Sequence, residues 1–533
     1  MYPWVELKVR KRRDVKMMKF KKIKKLLATT LVVMLIATCF AGCGNKDGGS
    51  GGSKSDIEIN YWNSGLGTKW LDAVIEAFEE EHPEYNVTYT ATADAASTVA
   101  PFGIEDTDTI DLYLALKLYD FDHMEPLDDV LNATPEGESK TIGEKFDSNY
   151  LQFEKAQDGK CYTLTYGGGI SGIVYNKKMF KDAGITQLPR TTDELASVCD
   201  TFYSDGIAPF CHFKPSGYWS YLTEAFFVQY DGLDYYLNTF YANKDANGNS
   251  PSIDVFKAED GRYEALKAYE KFLTPDYVLA GSNSSEHVTM QTKFINGEAA
   301  MMANGSWLAN EMASTGSTEN FETMLMPVIS SITNKLTTVK KESDLRKLIS
   351  AIDSVVSGEK EISEYQDGEN YSVDGISVSA ADWEYVRKAR YTMPANYAEE
   401  SAFIPSYSNA KEGAKEFLKF LYSDKGIKIY SDALHMILPI NLSDGELDTS
   451  KWSNFEKCQY ELYKSTEQFV TKDSSSKHKI FTDGSAQSLA SYEYINRLST
   501  NNVTDRQSAK EIWESVLKKI DTDYENNWLQ NIK

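Results

Sequence analysis

Cysteine is nearly absent from the part of this chain that has the pattern of a folded protein. Of six cysteines in 533 residues, Cys39 and Cys43 lie near the N-terminus, and Cys161, Cys199, Cys211 and Cys458 are scattered over the rest. Four thiols in a chain of this length are no disulfide framework. Cys199 and Cys211 are near enough in sequence to pair, and buried free thiols suit the composition equally well. Histidine is as scarce: the six residues show no metal-ligand spacing, so a zinc site has no support, and neither metal nor cofactor is expected. Positive charge is also short, with 56 Lys and Arg against 79 Asp and Glu. Nucleic acid and anionic lipid headgroups both call for a basic footprint, so neither is an expected partner. There is no internal repeat, and no apolar run reaches the ~20 residues that cross a bilayer.

The longest uncharged, largely apolar run is Leu26 to Thr38, preceded by Lys19, Lys21, Lys22, Lys24 and Lys25. That is the layout of a secretory signal. Met17 and Met18 stand just before it and are alternative starts of translation, since Met1 to Lys16 carries charge without apolar periodicity. The run closes on Phe40, Ala41, Gly42 and Cys43, which resembles a bacterial lipoprotein box, with Phe40 where Leu is commoner. The resemblance implies removal of residues 1–42 and lipidation of the Cys43 thiol, with acyl chains worth about 0.8 kcal/mol per buried methylene holding the chain on a membrane. The mature chain then has 491 residues, 45 basic and 77 acidic, for a net charge of −32. It is long enough for about two or three domains, and residues 43–55 form a lipidated, Gly/Ser-rich tether.

Patterned sequence begins after the tether. Ile57, Ile59 and Tyr61 alternate as a strand; Trp70, Leu71, Val74, Ile75 and Phe78 share one helical stripe that ends before Pro83; Val87 and Tyr89 alternate again. Strand, helix and strand so close together predict a parallel βαβ unit. Another strand is expected over Thr109–Leu116, a pair over C-Y-T-L-T-Y and I-V-Y-N, and a buried one near Ala299–Ala303. Helices are expected from Lys177, after Thr192, over Arg262–Leu273, Val288–Asn296 and Ala410–Tyr422, and through most of the region after Asn454. Thr333–Met393 is charged and weakly patterned and reads as an insertion. The alternation predicts an α/β protein with mainly parallel sheets.

Several motifs fail on context. Gly167, Gly169 and Gly172 spell G-x-G-x-x-G, but Ile173, Val174 and Tyr175 predict a strand where a dinucleotide site needs a helix N-terminus. G-x-S-x-G at Gly48–Gly52 lies in the tether, where no nucleophile elbow can be held. Asp245, Asn247 and Asn249 lack the Gly and Glu of a calcium loop. Paired carboxylates for glycoside hydrolysis are defined by distance in space, so sequence does not choose two among so many acids. The aromatics are more telling. Tyr61–Trp62–Asn63, Tyr166–Gly167, Tyr218–Trp219 and Asn304–Gly305–Ser306–Trp307 place rings beside small or amide residues. A sugar presents apolar C–H faces and a rim of hydroxyls, which such surroundings suit.

Four stretches together resemble one family. They are I-N-Y-W-N-S-G with the helix ending A-F-E-E-E-H-P; V-Y-N-K-K-M-F-K-D-A-G-I with R-T-T-D-E-L; F-I-N-G-E-A-A-M-M-A-N-G-S-W; and A-K-E-F-L-K-F-L-Y-S-D-K-G with L-P-I-N. In that order they are similar to the extracellular solute-binding proteins of bacterial ATP-binding-cassette importers, in the oligosaccharide-binding branch. The resemblance implies a two-lobed α/β fold of the periplasmic-binding-protein type II kind, with a ligand cleft between hinged lobes. The first lobe would take 56–168 and 330–440, with the insertion at about 333–393, and the second 169–329 and 441–533.

It also implies a monomeric, non-enzymatic receptor on the outer face of a Gram-positive cell membrane. Such a receptor captures a carbohydrate, an oligosaccharide by preference, and hands it to permease subunits. Carried over by position, Trp307 would stack on sugar; Asn63, Ser64, Gly65 and Lys117 would approach it from the first lobe; Tyr166 and Gly169 would lie at the lobe junction; Trp219 and Tyr492 would add further contacts. Gly169 stands where the maltodextrin-binding members have an acid, which argues against maltodextrin. The alternatives are a secreted glycoside hydrolase, and the same fold holding a peptide or polyol.

Overall fold

The computed structural model describes residues 54–471 and 495–526, apart from residues 106, 215, 216, 246, 251 and 398. The alternating apolar residues of strand β1 (Ser55–Trp62) put Ile57, Ile59 and Tyr61 into the core. Helix Lys69–Glu81 follows and buries Trp70, Leu71, Val74 and Phe78 along one face, where Phe78 meets Phe417 and Phe420 at ring separations of 5.3 and 5.7 Å. The chain returns as β2 (Tyr85–Thr92), parallel to β1 with Ile57 opposite Val87. This is the predicted βαβ unit. Strand β3 (Leu112–Leu116) pairs in parallel with the other edge of β1.

A second sheet is built from β5 (Ser171–Asn176), β6 (Ala208–Cys211), β7 (Ala299–Gly305) and β8 (Phe321–Met324), in the order β6-β7-β5-β8. Every residue of β5 and β7 is buried, as expected for strands covered on both faces. Strand β5 runs antiparallel to both β7 and β8, so the expectation of mainly parallel sheets is corrected: only β6 and β7 pair in parallel here. Periodicity marks a strand, but direction follows from pairings made between segments more than a hundred residues apart.

Segment 333–393, weakly patterned in sequence, forms helices and a small sheet. Helix Glu342–Val356 buries Leu345, Leu348, Ile349 and Ile352. A small antiparallel sheet of β9 (Gln366–Asp367), β10 (Asn370–Val373) and β11 (Ile376–Ser379) follows. Helix Ala380–Arg390 then packs on helix Trp219–Asp231, and Tyr385 donates to the Tyr230 carbonyl at 2.6 Å. Strand β12 (Thr392–Ala395) leads from here back to the first sheet, whose order is completed as β2-β1-β3-β13-β4 by β13 (Glu400–Phe403) and β4 (Leu164–Thr165). Strand β14 (Gln468–Thr471) pairs in parallel with β12.

The chain leaves the first sheet for the second at residues 166–170 and returns to the first, from the small β12–β14 sheet, at 395–400. The two passes are tied together: Ile170 bridges Ala395, and Asn396 takes the Gly169 amide on Oδ1 at 2.7 Å while donating its own amide to the Gly169 carbonyl at 3.1 Å. Cys161, Cys199, Cys211 and Cys458 are all free thiols.

Candidate functional site

The glycines at 167–169 are what let the two passes meet. A Cβ on Gly167 would overlap the Glu400 carboxylate, and one on Gly169 would overlap the Ser306 hydroxyl. Gly168 has φ +86° and lies 3.0 Å, measured from a built Cβ, from the Asn396 carbonyl oxygen; a side chain there is disfavoured on both counts. The G-x-G-x-x-G string is thus a ribbon against which Glu400 of the first sheet and Ser306, after the last residue of β7, both rest.

From the first sheet comes the loop that leaves β1. Its shape is set by Tyr61, whose hydroxyl donates to the Gly67 carbonyl at 2.8 Å, and by Asn63, whose Oδ1 accepts the Gly67 amide at 2.8 Å. Ser64 donates to Glu400 Oε1 at 2.6 Å. Gly65, at φ +109°, faces Glu311, whose Cγ and Oε1 would each lie 3.8 Å from its Cβ. From the second sheet comes Trp307, at the start of helix Leu308–Met312, with its ring over Gly305. Its ring centroid is 5.1 Å from that of Tyr218 and 5.9 Å from that of Tyr221. Glu311, one turn after Trp307, accepts Gln291 Nε2 at 2.8 Å. Tyr221 reaches across to donate to Glu399 Oε2 at 2.9 Å.

Burial pushes the Glu400 carboxyl up to about 7; the Ser64 hydroxyl and Gly168 amide oppose that, while the charges of Glu399 and Glu311 add to it. Burial also raises Glu311, against its bond from Gln291. Three buried polar atoms here, Glu400 Oε2, Ser306 Oγ and Trp307 Nε1, meet no partner of hydrogen-bond geometry. All three have almost no solvent-accessible surface.

Of the residues expected at the site, Ser64, Gly65, Gly169 and Trp307 come together. Tyr166 supports them from beneath: it is fully buried, stacked on Trp70 at 6.2 Å, and donates to the Trp62 carbonyl at 3.1 Å. Asn63 uses its Oδ1 on its own loop. Lys117 is elsewhere, paired with Glu154 at 2.8 Å inside the core. Trp219 is also core, with its ring 5.4 Å from Phe210 and 5.6 Å from Tyr269. Tyr492 and Cys43 lie outside the described residues. Sequence reasoning missed Glu311, Glu399, Glu400 and Tyr221. Glu311 had a signal, since it stands four residues after Trp307 and shares its helix face; Tyr221 had one too, three residues after Tyr218. Glu400 had none in its neighbourhood.

Among the described residues no group of three or more His, Cys, Asp or Glu is placed to hold a metal, and no helix is long and apolar enough to cross a membrane.

A family model described as bacterial extracellular solute-binding protein matches residues 64–428. A multiple sugar-binding protein of Streptococcus mutans serotype c is 26% identical over 197 residues, 36% of this chain; the match spans 43% of that protein, less than half its length. Among solved structures, the solute receptor AcbH, described as exclusively preferring β-D-galactopyranose, superposes with a TM-score of 0.58 at 13% identity, covering 89% of this chain and 98% of that one. A chitin oligosaccharide binding protein does so with a TM-score of 0.56 at 16% identity, covering 88% and 99%. At such identities the likeness is one of fold.

Proposed function

Since the chain belongs to the bacterial extracellular solute-binding proteins, we propose that it captures a carbohydrate, an oligosaccharide by preference, between its two sheets and delivers it intact to the permease of an ATP-binding-cassette importer. The observation that carries this reading is the aromatic group of Trp307, Tyr218 and Tyr221 set at the same junction as the Ser64–Gly65 loop. Rings take the C–H faces of a sugar, and polar groups beside them take its hydroxyls. The sugars that the relatives' names carry support the same class. Closing would turn on the two passes at 166–170 and 395–400, and ligand favours the closed state only by as much as it binds that state better.

Titration calorimetry against a broad glycan panel tests the reading. A binder is expected to emerge intact, and Trp307→Ala is expected to weaken it about tenfold, the worth of one stacked ring at the upper end. Unchanged affinity removes Trp307 from the site, and no response to any glycan removes the carbohydrate assignment. Cleaved products in the same mixtures would favour a hydrolase.

Anchoring through Cys43 completes the proposal. A lipid and a Gly/Ser tether would keep capture within reach of the permease on a cell without an outer membrane, which raises the effective concentration of one for the other. Partition of the full chain into detergent should vanish in Cys43→Ala; partition that persists contradicts the anchor.

A further inference from the structure

Strand β3 ends beside the junction, and the turn after it carries an aromatic shelf. The Lys117 amide donates to the Glu399 carbonyl at 3.0 Å, and the Glu399 side chain takes the hydroxyl of Tyr221, a member of the Trp307 group. Two residues after Lys117, the Tyr119 ring lies 5.8 Å from Lys117 Nζ, and its centroid is 6.2 Å from that of Phe121. Phe121 in turn stacks on Tyr162, at 5.2 Å and 21°. The rings of Tyr119, Phe121 and Tyr162 are all partly exposed, as are Trp307, Tyr218 and Glu399. The chain around the shelf is held in place. Met124 bridges Pro405, the Ser406 amide donates to the His123 carbonyl at 2.8 Å, and Tyr162 donates to Asp158 Oδ2 at 2.7 Å.

Core packing accounts for one side of the shelf, where Phe121 and Tyr162 rest on the cluster of Ile110, Tyr113, Met124 and Phe403. It does not account for the other. A single half-open ring needs no explanation, but rings in contact along a surface form a patch of the kind that binds. Asp120 and Asp122 are exposed on either side of Phe121 in the chain and offer acceptors to hydroxyl groups. Flat apolar faces edged by carboxylates suit a neutral, hydroxyl-rich ring and disfavour an anion. Through Glu399 the shelf is continuous with the Trp307 group, so the occupant it fits is the far end of a chain whose near end meets Trp307. Resting on the carbohydrate reading above, we propose that Tyr119, Phe121 and Tyr162 form an outer subsite that holds further units of an oligosaccharide and makes chain length a determinant of affinity.

Calorimetry on the full chain tests this with ladders, disaccharide to hexasaccharide, of cello-, xylo-, malto- and chito-oligosaccharides run beside the glycan panel. In the ladder that binds, affinity is expected to rise about tenfold from the shortest binder to the longest. Phe121→Leu keeps apolar bulk on the core side and loses the flat face; Tyr119→Ala removes the neighbouring ring. Each should weaken the longest chain about three- to tenfold and leave the shortest binder unchanged, and the second variant reports if the first fails to fold. A gain with length that both variants leave untouched overturns the shelf. So does an equal loss for short and long chains, and so does a binder, in any ladder or in the panel, that gains nothing from added units. Each of these results leaves the carbohydrate reading intact, whereas no binding by any ladder or panel glycan overturns both.

Discussion

Lys117→Met is expected to cost the folded chain about 3–5 kcal/mol, read from the shift in its urea midpoint, and to leave the affinity of the folded fraction for its ligand unchanged. The Lys117 and Glu154 side chains are only 3% and 1% exposed and lie 2.8 Å apart. Glu154 Oε2 also accepts the Thr163 hydroxyl at 2.5 Å, while its Oε1 is buried without a partner. Removing the ammonium leaves a carboxylate in the core with one neutral donor, which is the costly case; replacing both residues by apolar ones, Lys117→Met with Glu154→Leu, should recover most of the loss. A single variant as stable as the parent would show that the pair contributes little. A fall in affinity without a fall in stability would return Lys117 to the binding site.

Glu400 should make the unliganded protein less stable as pH rises from 4.5 toward about 7. Across that window the folded chain keeps a proton that the unfolded chain has released, so each pH unit favours unfolding by up to about 1.4 kcal/mol. The contribution is fully present below the ordinary carboxyl range and lost once pH passes the folded value, on the order of 3 kcal/mol in all. Burial is the main cause; Ser64 and Gly168 oppose it, Glu399 and Glu311 add to it, and the neighbouring hydroxyls of Tyr61, Tyr166 and Tyr430 are themselves pushed to higher pKa. Because other groups titrate too, the quantity to measure is the difference between the parent and Glu400→Gln in stability against pH. The two curves should diverge above pH 5 and become parallel above about 7; parallel curves throughout would mean that Glu400 titrates normally.

What the sequence discloses here is what neighbouring residues decide. The stripe of Trp70, Leu71, Val74 and Phe78 and the alternation in β1 are local patterns, and both are realised. So is the tight passage at Gly167–Gly169, though its glycines make room for Glu400, Asn396 and Ser306, residues far along the chain. The spacing of Leu345, Leu348, Ile349 and Ile352 is equally plain, but flanking charge hides it in a segment read as weakly patterned. Trp219 shows the limit of reading aromatics one by one. At helical spacing Tyr218 and Tyr221 share a face toward Trp307, whereas Trp219 turns about a hundred degrees away into Phe210 and Tyr269. Whether Lys117 at the end of β3 faced a cleft or the core depended on Glu154, a partner no local pattern announces.

The central claim is that this chain carries a sugar between its two sheets. Mass spectrometry of the small molecules released on denaturing the protein, purified from the host that makes it naturally, tests that most directly. An intact carbohydrate is expected in an amount close to that of the protein, and much less of it from Trp307→Ala. A peptide, a polyol or another non-carbohydrate solute recovered at that level would contradict it.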